Sequence, residues 1–230
     1  MKFAAIETST EWCSVALSLD GEILAAERRA GNRASEFVLP MLEQLLVRAG
    51  VAMDALEAIA FGAGPGSFTG LRIACGVAQG LAVARGIPVI GISTLEALAE
   101  ECAAPRVIAC IDARMGEVYY SALEKTPSAG ASAWRDAVPA ACLPPARVPR
   151  PAGGGWIGCG SGFSVYRSEL EAALGDALAG VRANPHPSAV GVARLAQPRL
   201  AAGEGVDAAL AAPLYLRDKV ALTSAERAAK

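Results

Sequence analysis

The stretch in which residue type and spacing could do chemistry is Gly62–Arg72, Gly-Ala-Gly-Pro-Gly-Ser-Phe-Thr-Gly-Leu-Arg. It follows an apolar run, Leu56–Phe61, and opens a long small-residue segment with helical spacing, Phe68–Arg85. A strand that turns through glycines into a helix N-terminus points backbone N–H groups outward, where they can hold an anion. Pro65 stiffens the turn, and Ser67 or Thr69 can cap the helix. The motif is not a P-loop, since no Lys-Ser/Thr follows its last glycine, and it is out of register with the dinucleotide fingerprint. Physics alone therefore leaves two readings open: a tight strand-to-helix connection, or a loop that binds phosphate or a partner. Thr8-Ser9-Thr10, at the end of an apolar first strand, and a second glycine turn, Gly158–Gly162, offer further hydroxyls and amides.

Other chemistries find little support. The chain has one histidine, His186, set in Asn-Pro-His-Pro, which reads as a solvated turn. Its six cysteines include no C-x-x-C pair, so free thiols in a reducing compartment are expected rather than a metal site or a disulfide framework. No Ser/His/Asp or Cys/His arrangement suggests a peptidase. A net charge of −2 does not indicate a broad nucleic-acid surface. The start runs directly into a strand pattern, and no apolar run reaches membrane-span length uninterrupted, so the expected location is the cytoplasm.

The elements that must position these residues follow from periodicity. Phe3–Thr8, Trp12–Leu19 and Glu22–Arg28 read as three strands, with Asp20-Gly21 as a hairpin turn. Ser35 is the expected cap of a helix reaching Ala49, with Gly50 as its stop. Pro88–Ile92 reads as a strand and Ser93 as the cap of a helix to Cys102. Arg106–Ile111 and Glu117–Leu123 read as strands of a second hairpin. The Ala/Pro-rich stretch Lys125–Pro151 reads as a long, partly irregular connection with short strand pieces. A helix is expected at Phe163–Ala173 and another at Ser188–Leu200, then an extended Pro213–Leu216 and a loose tail from residue 218. With 53% hydrophobic residues in 230, the chain can bury a large core. The layout is a duplicated α/β fold. One lobe spans residues 1–104, a second spans 105–217, and the final segment can return to the first.

Within the helix from Phe68, one stripe carries Leu71, Ala74, Ala78 and Leu81 toward the sheet. A second carries Arg72, Gly76, Gln79 and Val83, with Cys75 and Gly80 beside it. Two helical glycines at i, i+4 each cost about 1 kcal/mol against alanine. Close packing within the chain and close approach of another subunit's helix both remain open as the reason.

The blocks Ile6-Glu7-Thr8-Ser9-Thr10, Gly64-Pro65-Gly66-Ser67-Phe68-Thr69-Gly70-Leu71-Arg72, Gly91-Ile92-Ser93-Thr94-Leu95, Ile111-Asp112-Ala113-Arg114-Met115-Gly116-Glu117 and Pro213-Leu214-Tyr215-Leu216-Arg217 occur in the order seen in the TsaB (YeaZ) family, which this chain closely resembles. The resemblance implies the actin-like/sugar-kinase/heat-shock ATPase superfold, ribonuclease-H-like in each half. It also implies a role in making threonylcarbamoyladenosine at position 37 of ANN-decoding tRNAs. In that role a non-catalytic subunit pairs with the catalytic subunit TsaD, the ATPase TsaE docks near their junction, and the subunit forms homodimers when alone. It meets tRNA through the complex and has no membrane partner.

The partner interface implied is Arg72, Cys75, Gly76, Gln79, Gly80, Val83, Phe37 and Met41. The candidate vestigial phosphate loop is Thr8, Ser9, Thr10, Gly64, Gly66 and Ser67. No catalytic residue, metal ligand or required cofactor is expected, and weak ATP or ADP binding is left open. The first strand ends in Glu7 where the family usually has Asp, and the longer carboxylate would intrude on a phosphate–Mg²⁺ site. Ala34 stands where family members often have histidine. The alternative function is an ATP-dependent small-molecule phosphotransferase of the same superfold.

Overall fold

A computed structural model describes residues 1–126, 133–182 and 185–217. The first sheet comprises β1 (Lys2–Glu7), β2 (Trp12–Leu19), β3 (Glu22–Arg29), β4 (Ala58–Gly64) and β5 (Val89–Ser93). Its order is β3-β2-β1-β4-β5, with β1–β3 antiparallel and β4 and β5 parallel to β1. The second sheet comprises β6 (Arg106–Arg114), β7 (Glu117–Thr126), β8 (Ala133–Leu143), β9 (Trp156–Cys159) and β10 (Leu178–Val181). Read from its other edge, its order is β8-β7-β6-β9-β10, the same sequence of neighbours with the same directions. The fold is therefore the duplicated α/β arrangement of the actin-like superfold.

Helices α1 (Ala34–Ala49) and α2 (Phe68–Val83) cover one face of the first sheet, where Val38, Leu42, Leu45, Ala74 and Ala78 meet Ile6, Val15, Ile59 and Phe61. Helix α6 (Ala189–Ala201) covers the other face through Val192, Leu195 and Ala196. Helix α3 (Thr94–Cys102) packs Leu95, Leu98 and Ala99 on the second sheet. Helices α4 (Ser161–Val165) and α5 (Arg167–Leu174) close its far face around Trp156 and Tyr120. Central strands buried on both faces explain the run of buried residues along β4. Helix α6 follows the second sheet in the chain yet packs on the first.

Several expectations hold residue by residue. Asp20 and Gly21 both take positive φ in the hairpin turn, at 53° and 104°. Gly50 ends α1 in the left-handed conformation. Ser67 and Ser93 cap α2 and α3 with their side chains, while Ser188, expected as the first residue of its helix, stands just before α6 and caps it.

Others are corrected. Ser35 is not the cap of α1: the helix begins at Ala34, its flanking Arg33 offers no side-chain cap, and it continues through Pro40. Within the Ala/Pro-rich connection the expected short strand pieces are one strand of 11 residues, β8, which pairs along β7. The short β10 adds an edge strand beside β9. The helix expected from Phe163 begins at Ser161, breaks at Tyr166 and ends at Leu174. The expected loose tail lies outside the described residues.

Candidate functional site

The end of β1 and the start of α2 meet at the glycine turn. Thr8 Oγ1 donates to Gly70 O at 2.7 Å, and Ser67 N donates to Ser9 O at 2.7 Å. A Cβ on Gly66 would stand 2.6 Å from Ser9 Cβ, and one on Gly70 would stand 1.9 Å from Thr8 O. These glycines let two stretches of backbone touch. Thr8 and Ser9 are 1% and 2% exposed, so the candidate phosphate-loop residues Thr8, Ser9, Gly66 and Ser67 are brought together but pressed on one another. Thr10 stands at the edge, its hydroxyl accepting from Trp12 N. Gly64, at φ 127°, lies under the backbone carbonyl of Leu214, which a Cβ there would approach to 2.5 Å.

Glu7 is fully buried. Its Oε1 accepts from Ser9 N at 2.5 Å, while Oε2 has no partner. Burial pushes its carboxyl above the usual carboxylate range, against the smaller opposing effect of its contacts with Ser9. A phosphate–metal group needs an ionised, accessible carboxylate at this place. Glu7 is not accessible and its burial disfavours the charged form, the Thr8 hydroxyl is already committed to Gly70, and the donor set does not fit such a group. Among the described residues, no cluster of three His, Cys, Asp or Glu side chains is placed to hold a metal ion.

The outward side of α2 is different. Arg72, Gly76, Gly80 and Val83 are exposed, and a Cβ on Gly76 or Gly80 would meet none of the described residues within 4 Å. Close packing among the described residues is thus not the reason for these two glycines. Gln79 is half-buried and donates to Ala208 O at 3.2 Å and Ala211 O at 3.1 Å. The guanidinium of Arg72 lies 3.7 Å over the Phe68 ring and donates to Tyr215 Oη at 3.1 Å.

Two residues expected on this surface are not on it. Cys75 is 4% exposed and Met41 8%, and both belong to the core beneath the helices. Phe37 is half-buried, with the Arg28 guanidinium 3.7 Å from its ring centre. Ala34, at the start of α1, is buried.

Sequence reasoning also missed the surroundings of His186. The ring is half-buried and not free in solvent: it stacks on Trp12 at 4.4 Å and 8°, and its Nε2 lies 3.2 Å from Glu27 Oε2. It closes one side of a cleft of about 530 Å³ lined also by Ser14, Glu101, Arg182 and Ser188. The proline on each side of His186, which fixes the backbone, was the available signal.

The family model described as "TsaD: tRNA N6-adenosine threonylcarbamoyltransferase" matches residues 28–225. A protein of Escherichia coli named "tRNA threonylcarbamoyladenosine biosynthesis protein TsaB" is 36% identical over 96% of each chain. The chain belongs to the TsaB family. A Haemophilus influenzae TsaB is likewise 36% identical, covering 94% of this chain and 93% of its own. The solved structure of YeaZ from Pseudomonas aeruginosa is 41% identical and superposes with a TM-score of 0.85, covering 94% of this chain and 99% of that one. TsaB relatives thus match this chain nearly end to end. No helix among the described residues is long and apolar enough to cross a membrane.

Proposed function

We propose that this chain is a non-catalytic subunit that pairs with the TsaD catalytic subunit and supports threonylcarbamoyl transfer to adenosine 37 of ANN-decoding tRNAs, in the cytoplasm. The observation that carries this reading is the open space over Gly76 and Gly80 on the outward face of α2. Two exposed helical glycines weaken a helix by about 1 kcal/mol each and gain no contact among the described residues. A partner helix approaching closely would use them.

The glycine-turn geometry supports the non-catalytic part. Glu7, Thr8 and Ser9 are buried, and the Thr8 hydroxyl is spent on Gly70 O; in this reading the chain requires no cofactor of its own and binds ATP or ADP weakly at most. TsaE docks near the junction of the pair, the subunit forms homodimers when alone, and tRNA is met through the complex. Light scattering of this chain mixed with its TsaD checks the proposal: one heterodimeric species is expected, and omitting this chain should abolish tRNA modification. Gly76→Arg should block pairing with the fold intact. Two persistent separate species, or modification unaffected by omission, would overturn it. The competing phosphotransferase reading predicts heat on titration with millimolar Mg-ATP.

A further inference from the structure

The segment after α6 runs from the first sheet to the second. Val206 exchanges backbone hydrogen bonds with Val89, at 2.8 and 2.9 Å. The carbonyls of Ala208 and Ala211 accept from Gln79. Leu214 N donates to Ala63 O at 2.7 Å, and its own carbonyl covers Gly64. The Tyr215 ring packs on Phe68 at 5.6 Å between centroids. Each of these attachments is to the first sheet or its helix α2. Arg217 then reaches across to the turn between β6 and β7, where it pairs with Glu117 and donates to Arg114 O at 3.3 Å.

We propose that residues 206–217 form a lid over the Gly64–Ser67 turn, latched to the second sheet by the Arg217–Glu117 ion pair. The lid stands where an outside ligand of the turn would otherwise lie, because the Leu214 carbonyl already occupies the space above Gly64. Arg217 is the latch because its side chain is 14% exposed, so water and salt screen its charge less than that of a surface arginine. Its surroundings hold it in place: the Tyr119 ring lies 6.0 Å away, and the Cys142 thiol donates to the same Glu117 oxygen at 3.6 Å. Glu117 is 35% exposed and can be hydrated when the pair is broken, so losing the latch need not unfold the protein. The lid would hold the mouth between the two sheets at one spacing. It stands whether or not the chain pairs with a partner.

Hydrogen–deuterium exchange of the full chain tests the lid. Arg217→Ala should speed exchange in residues 208–217 and in the turn, 62–70, by at least about tenfold, while exchange along β1, β2 and α6 stays as in the parent. The charge-swapped double variant, Glu117→Arg with Arg217→Glu, should restore slow exchange in both segments. Unchanged exchange in residues 62–70 on breaking the pair would overturn the proposal. So would faster exchange throughout the chain, or a swap that restores nothing.

Discussion

A Cβ placed on Gly62 falls 1.8 Å from Oε2 of Glu7. The acid at the end of β1 therefore fills the volume that any other residue at position 62 would need, and the glycine exists to admit a buried carboxyl. With no partner on Oε2 among the described residues and no exposure, burial favours the neutral form of that carboxyl and raises it above the usual carboxylate range.

This fixes the direction of a pH effect. The folded pKa of Glu7 lies above the ordinary glutamate value of 4.5, so the unfolded chain releases this proton first as pH rises. The stability Glu7 contributes is complete below about pH 4.5 and is lost as pH rises through the raised folded value. Glu7→Gln keeps the acceptor for Ser9 N and carries no proton to lose. It should be more stable than the parent at pH 7 by on the order of 1 kcal/mol, with no gain at pH 4. Urea melts at the two pH values would show this.

The glycines of α2 should separate into two kinds. Gly70→Ala drives a methyl to 1.9 Å from Thr8 O, a backbone atom that cannot swing aside, and should cost roughly 2–3 kcal/mol. Gly76→Ala and Gly80→Ala meet nothing and should each raise stability by about 0.5–1 kcal/mol. Thermal melts of the three single variants would decide it; equal effects would contradict the packing described.

Gln79→Ala removes the donor that two carbonyls share. The carbonyls of Ala208 and Ala211 would lose this partner, at a cost of about 1–2 kcal/mol. Exchange should quicken in residues 206–212, with β7 unaffected.

Thiol titration should distinguish one cysteine. Cys142 is half-buried while Cys13, Cys75, Cys102, Cys110 and Cys159 are buried. A thiol-reactive dye should label Cys142 in the native protein and the other five only on unfolding. Labelling should itself be slow below pH 9, because burial raises the Cys142 thiol above its usual range.

Punctuation made much of the fold readable. The Asp20-Gly21 turn, the Gly50 stop and the serine caps at 67 and 93 each act through one or two neighbouring backbone groups, so local residues suffice to find them. The length of strand β8 was hidden, leaving only short strand pieces to expect, because alanine and proline give no alternation, although Trp134 within it bonds Glu100 of α3 at 2.8 Å. Cys75 and Met41 were legible but misassigned. Cys75 follows Leu71 by four, and Met41 follows Val38 by three, so each continues a buried stripe. The burial of Glu7 could not be read, because its cause is a glycine 55 positions away.

The second half repeats the device of the first with different chemistry. There, a Cβ on Gly160 would stand 2.3 Å from Cys110 O, and one on Gly162 would stand 2.4 Å from Cys110 Sγ. In both halves the residues that follow a parallel strand must let a helix sink onto the founding strand of that half. Small residues at these corners are thus an architectural requirement, satisfied before any guest is considered. A chain of this build can give up its guest altogether and still keep every one of those corners bare.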